Sequence, residues 1–189
     1  MSGKNASKGL IVLIVLILFC AGGAITSYNS LVSGQEKVES SYADIDAQLQ
    51  RRADLIPNLI SSVKGYMAYE QSVIDSITES REKLLNAEGI QEMAEANDEL
   101  SAAIGNLMVL VENYPDLKAN ENFIQLQDEL AGTENRIATA RRDYNDAVRS
   151  YNVKTKRFPG VWIARMFGFE AAEYFEAAAG STEVPTVEF

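Results

Sequence analysis

The chain has 189 residues, with 17 basic and 27 acidic side chains, a net charge of −10 and no histidine; this length suits one domain plus an anchor. Only Lys4 and Lys8 precede the first acid, Glu36, so the rest of the chain carries 15 basic and 27 acidic residues, or −12; so acidic a surface repels phosphate backbones and argues against nucleic acid as a partner. The lack of histidine, with the single cysteine, Cys20, set inside an apolar run, argues against His/Cys zinc sites, Ser-His-Asp and Cys-His nucleophiles, and rules out an intrachain disulfide.

The first predicted element is that apolar run. Leu10–Ile25, LIVLIVLILFCAGGAI, contains no charge, and extension to Tyr28 gives nineteen residues. At about 1.5 Å per residue the stretch measures roughly 28 Å, close to one hydrocarbon thickness. A transmembrane helix over 10–28 is expected, with 1–9 as a short cytoplasmic N-terminus. Tyr28 stands where an interfacial aromatic belongs. A cleaved signal with the small residues Gly22-Gly23-Ala24 at its processing site fits less well. A lipoprotein signal ending at Cys20 fits least, because Phe19 precedes that cysteine where a small residue is expected. The charges before the span are all positive, which puts the N-terminus in the cytoplasm and the following domain outside, at the bacterial inner membrane. The Ala21–Ala24 patch is small enough to admit a second transmembrane helix.

Residues 29–157 read as a helical bundle. Prolines are few, Ala, Leu, Glu, Gln and Lys are abundant, and no run alternates apolar and polar residues, so all-α is the class that fits. One seam runs Leu31, Gln35, Val38, Tyr42, Ile45, Leu49, Arg52, Ile56, Leu59, Val63, Tyr66. It passes Pro57, which either kinks a long helix or opens a new one capped by Asp54. A break near Ala53 gives an antiparallel four-helix up-and-down bundle, whereas a kink gives three helices. Gln35 and Arg52 are polar at seam positions, where such residues set register or partner number. The seam continues through Val73, Ile77 and Leu84, Asn86–Gly89 reads as a turn, and Met93 to Tyr114 form the next helix, stopped by Pro115. Between Asn120 and Lys156, nine positions from Phe123 to Tyr151 repeat at spacings of 3 and 4, a heptad pattern. Asn120 suits the N-cap and Pro159-Gly160 the end of this helix.

Residues 158–176 begin with FPGVWIARMFGF, an amphipathic aromatic segment holding the only tryptophan. It packs on the bundle end or lies in the membrane interface, with Trp162 and Phe167 dipping in. In the four-helix arrangement it arrives at membrane level, and in the three-helix arrangement at the far tip. Residues 177–189 are expected to be a flexible tail.

Several runs resemble the LemA family. They are Tyr28-Asn29-Ser30-Leu31-Val32, the stretch Ile45 to Leu59 with its Gln48-Leu49-Gln50-Arg51-Arg52-Ala53-Asp54-Leu55-Ile56-Pro57-Asn58-Leu59 core, and Val63–Tyr66. Glu112–Ala119, Thr133–Ile137, Ala140–Asn145, Tyr151-Asn152 and Phe158-Pro159 complete the set. The likeness covers Tyr28 to about Phe175, with Tyr42 and Tyr69 standing where the family often has Trp and His. It implies a membrane anchor, an antiparallel four-helix bundle and no known catalytic activity. The family includes a magnetosome-associated member, and its genes often neighbour those of membrane proteases or small envelope proteins.

Other chemistry is weak. Arg51-Arg52 and Arg141-Arg142 either bind an acidic partner or pair between helices with Asp44, Asp46, Asp54, Glu134 or Asp143; bidentate carboxylate pairing favours the second. The eight tyrosines fall mostly at seam positions or helix ends, as core rings with hydroxyls at the rim. No Gly-rich phosphate loop or EF-hand loop is present, and no cofactor or metal is expected. The expected role is non-enzymatic: a scaffold of the envelope that forms homo-oligomers, or an adaptor for a membrane protease or other envelope protein, with the lipid bilayer as the partner of residues 10–28.

Overall fold

A computed structural model of the chain describes residues 3–67 and 69–176. Among these every regular element is helical. The helices are α1 (Gly3–Lys64), α2 (Gln71–Asn86), α3 (Ile90–Val111), α4 (Pro115–Lys118), α5 (Glu121–Lys156) and α6 (Gly160–Phe167). The expected flexible tail, 177–189, lies outside the described residues.

The helix boundaries follow from local chemistry. The carboxylate of Glu92 accepts from the N–H of Glu88 at 2.9 Å just ahead of α3, satisfying a donor at the helix start. Pro115 opens α4 at its first turn, where a missing N–H costs nothing. The side chain of Asn120 accepts from the N–H of Phe123 at 3.1 Å, the capping bond expected of that residue.

Of the two alternatives open at Pro57, a break near Ala53 is not the one found. Pro57 lies inside α1, which runs on to Lys64. A mid-helix proline deprives the carbonyl four residues earlier of its N–H, here that of Ala53. Arg81 of α2 supplies the missing donor, its Nε reaching the Ala53 carbonyl at 2.7 Å. The expectation that a continuous α1 leaves only three helices also fails, because α1 ends at Lys64 and a separate α2 begins at Gln71. Between them the N–H groups of Tyr66 and Met67 bond back to Val63 at 3.0 and 2.9 Å.

The chain divides into two compact units. One comprises Met1–Ser40 with Asp146–Glu173, the other Ser41–Asn145 with Tyr174–Phe189. In the larger unit, Ile45, Leu49, Ile56, Leu59 and Val63 of α1 are buried with Ile77 of α2, Leu100 and Leu107 of α3, Leu117 of α4 and Phe123 and Ile137 of α5. Burial of each large side chain contributes roughly 1.5–3 kcal/mol. Phe175 is buried here too. Asn145 grips its backbone twice, donating to the carbonyl at 3.0 Å and accepting from the N–H at 2.9 Å, while the Arg141 guanidinium lies 4.3 Å from the centre of its ring.

In the smaller unit, the buried residues include Leu31 and Val38 of α1, Val148 and Tyr151 of α5, and Ile163 and Ala164 of α6. A Cβ at Gly34 would stand 3.1 Å from the Tyr151 ring, so a side chain there crowds the tyrosine. Gly168, at φ 76°, ends α6 in the left-handed conformation. The following N–H, of Phe169, bonds back to Ala164 at 2.9 Å, a turn that favours glycine. Asn152 holds Ala172 as Asn145 holds Phe175, at 2.8 and 2.9 Å.

Candidate membrane-facing and interaction sites

α1 is the one described helix long and apolar enough to cross a membrane, and none of its apolar window is buried. Ile11, Val15, Ile17, Leu18, Phe19 and Ile25 are all exposed. Thr26 turns its hydroxyl onto the Gly22 carbonyl at 2.9 Å, so even this polar side chain is satisfied within the helix. Gly22 and Gly23 face open space.

The structure brings together two of the three residues expected at the interface. The Tyr28 ring meets Phe167 edge-on at 4.9 Å and Phe169 at 5.6 Å. An apolar cavity of about 230 Å³ is lined by Ala24, Ile25, Tyr28, Ile163 and Phe167. Trp162 is not part of that cluster. It is exposed and contacts Phe158, with ring centres 5.5 Å apart.

The two register candidates have different surroundings. Gln35, expected to face the core, is exposed and donates to Glu39 at 3.0 Å; the buried position beside it is Gly34. Arg52 is buried. Its Nη1 reaches Glu134 at 2.6 Å, Asn97 at 2.5 Å and Ser101 at 2.9 Å, joining α1, α3 and α5. Burial pulls the Arg52 pKa down, against the opposing charges of Glu134 and Asp98; arginine still remains charged. Asn97, fully buried, and Ser101 were not singled out from the sequence, because a polar residue in an apolar stripe reads as noise until its partner is known. Arg141 lies 3.7 Å from Asp98, a different acid from those expected, whereas Arg51 and Arg142 are exposed.

Tyr151, like Tyr144, is buried. Burial first, then the carboxylates of Glu170 and Glu39, raises its pKa. A groove of about 390 Å³ carries Ser41, Asp44, Gln48, Asn135, Arg136 and Asp143, charged neighbours on a wet helix face. Among the described residues no group of three or more Cys, Asp or Glu side chains is placed to hold a metal ion.

Residues 41–189 match the LemA family. The chain belongs to that family. Among its relatives, the magnetosome protein MamQ 2 of Paramagnetospirillum magneticum is 27% identical over a 212-residue alignment covering 97% of this chain and 78% of that protein. The magnetosome protein MamQ of Magnetospirillum gryphiswaldense is 26% identical over 186 residues, 84% of this chain and 68% of the relative. Protein LemA of Metamycoplasma hominis is 27% identical over 151 residues, 79% and 69%. The family match begins beyond the apolar window, whereas the alignment to MamQ 2 spans nearly the whole chain.

Proposed function

We propose that this LemA family chain is a non-enzymatic single-pass protein of the bacterial inner membrane, a structural element of the envelope that assembles with copies of itself. The observation that carries the reading is the contrast along α1: none of its N-terminal apolar window is buried, while from Leu31 onward its large apolar side chains are buried or half-buried. An exposed apolar stretch of that length is a bilayer-spanning element. The positive charges of Lys4 and Lys8 support a cytoplasmic N-terminus. The names of the MamQ relatives tie those proteins to the magnetosome rather than to a reaction.

The larger unit serves this role as an up-and-down four-helix bundle of α1, α2, α3 and α5. Contact register supports it. Tyr42 meets Met93 and Arg52 meets Asn97, so α1 and α3 run the same way. Tyr42 lies beside Tyr144 and Arg52 beside Glu134, so α5 runs back. Lys83 bonds Glu99 at 2.8 Å across the α2–α3 turn. The α5 seam, including Phe123, Leu130, Ile137 and Tyr144, is filled within one chain. Self-association therefore uses what the fold leaves open, foremost the Ala21–Ala24 face of the span, where close approach of helices is favoured.

The test is the mass of the full-length protein extracted in mild detergent, over a wide concentration range. A discrete assembly is expected, and a strict monomer would overturn self-association. The −12 charge of the residues beyond the span favours a second reading, an adaptor for a membrane protease or another envelope protein. Cross-linking in native membranes would then capture a different protein in fixed proportion, and self-products alone would exclude it.

A further inference from the structure

We infer that α6 is a second membrane contact, a short helix seated in the lipid interface beside the span, with Phe158, Trp162 and Met166 in the acyl boundary and basic side chains on the headgroup phosphates. The inference rests on the reading of α1 as a membrane span and deepens it.

Three independent observations carry it. The first is position. Ile163 and Phe167 of α6 line the same apolar cavity as Ala24, Ile25 and Tyr28, the last turns of the apolar stretch. If residues 10–28 span the bilayer, α6 lies at the height where the hydrocarbon meets the headgroups.

The second is an unpartnered face. α6 reads GVWIARMF, with Arg165 its only charged residue. Gly160, Ile163 and Ala164 face inward and are buried. Phe158, Trp162 and Met166, spaced by four, are 75%, 66% and 73% exposed. Trp162 and Met166, four apart within α6, share one side of that helix, and Phe158, in the turn that precedes it, packs on Trp162 with ring centres 5.5 Å apart. A short helix that is apolar on its packed side and on a second, open side needs an apolar medium there. Tryptophan, with an apolar ring and one N–H donor, is suited to the boundary zone.

The third is charge. Although the chain as a whole carries −10, residues 147–169 hold five basic side chains, Arg149, Lys154, Lys156, Arg157 and Arg165, and no acid. Arg149 pairs with Asp146 at 2.9 Å and Lys154 with the Ser30 carbonyl at 3.3 Å. Lys156, Arg157 and Arg165 are exposed. Exposed basic side chains close in sequence to an apolar stripe fit an anionic lipid surface.

Trp162 is the only tryptophan, so intrinsic fluorescence reports this one site. The full-length protein is reconstituted into vesicles of phosphatidylcholine and phosphatidylglycerol, with part of the phosphatidylcholine brominated at either a shallow or a deep acyl position. Flotation with the vesicles after alkaline wash checks the span separately. The expected result is flotation, with shallow bromines removing more than about half of the emission and deep ones much less, since the interfacial seat lies within ~10 Å of the headgroups. Flotation with emission unquenched by any brominated lipid and open to aqueous acrylamide would overturn the inference and leave the span reading intact. Flotation with emission shielded from both acrylamide and brominated lipid would show the stripe covered by protein, a second copy included, and would also overturn it. Failure to float would remove both readings.

Discussion

Arg81→Met removes the hydrogen bond that lets α1 pass through Pro57. Proline contributes no N–H, so the Ala53 carbonyl depends on Arg81 Nε at 2.7 Å, and Ala53 is fully buried, out of reach of replacement water. A hydrogen bond from a charged donor contributes about 1.5–3 kcal/mol, and stranding a buried acceptor costs about 1–3. Methionine keeps much of the arginine stem's packing, so the loss is concentrated in the bond. We expect Arg81→Met to cost about 2 kcal/mol, which for a chain of this size lowers Tm by roughly 4–8 °C. In a Pro57→Ala background, residue 57 provides its own N–H to Ala53. The same arginine substitution should then cost under about 0.5 kcal/mol, a coupling of about 1.5 kcal/mol. The assay is thermal and urea unfolding of the four proteins in one detergent, followed by far-UV circular dichroism. Equal costs of Arg81→Met in the two backgrounds would refute the reasoning, since the arginine would then be stabilising something other than the carbonyl that Pro57 frees.

Glu134→Ala leaves the Arg52 guanidinium with only neutral acceptors and the more distant Asp98. Because the Glu134 side chain is 43% exposed, the cost is expected near 2 kcal/mol rather than the ~3–5 kcal/mol of a fully buried pair, and urea unfolding measures it. Tyr151 has a folded pKa raised by burial and by Glu170 and Glu39, so its contribution is complete below the unfolded value of about 10 and is lost as pH rises through the folded value. Tyr151→Phe should therefore flatten the alkaline fall of stability above about pH 10 while leaving the neutral pH profile parallel, as read by melting at a series of pH values. Asn120→Ala removes the cap on Phe123 and should lower stability by ~1 kcal/mol, with Asn120→Asp retaining most of it; calorimetry distinguishes the two.

Hydrophobic periodicity carried most of the fold. The seam read between Asn120 and Lys156 coincides with α5, and every seam position in it is buried or half-buried, because a helix that packs on one side must repeat its apolar residues every three or four positions. The turn at Asn86–Gly89, the stop before Pro115 and the cap at Asn120 were legible for a similar reason, since each rests on a residue whose local chemistry is decisive. The departures share a different cause. At Gly34 the core is filled not by the residue at that position but by the Tyr151 ring lying over it, so a pattern that counts apolar side chains skips to Gln35. At Pro57 the outcome depends on a donor 24 residues further along the chain, and no local rule assigns Arg81 to Ala53. Asn97, Asn145 and Asn152 read as surface residues until Arg52, Phe175 and Ala172 are seen on their amides.

The same distinction bears on the sites. Tyr28, Trp162 and Phe167 stood out in the sequence as candidate interface aromatics, but composition left open whether the segment holding the last two sits near the span or far from it. That choice turned on the number of helices between, which the separate α2 and α3 set. Phe167 of that segment meets Tyr28 at the end of the apolar stretch.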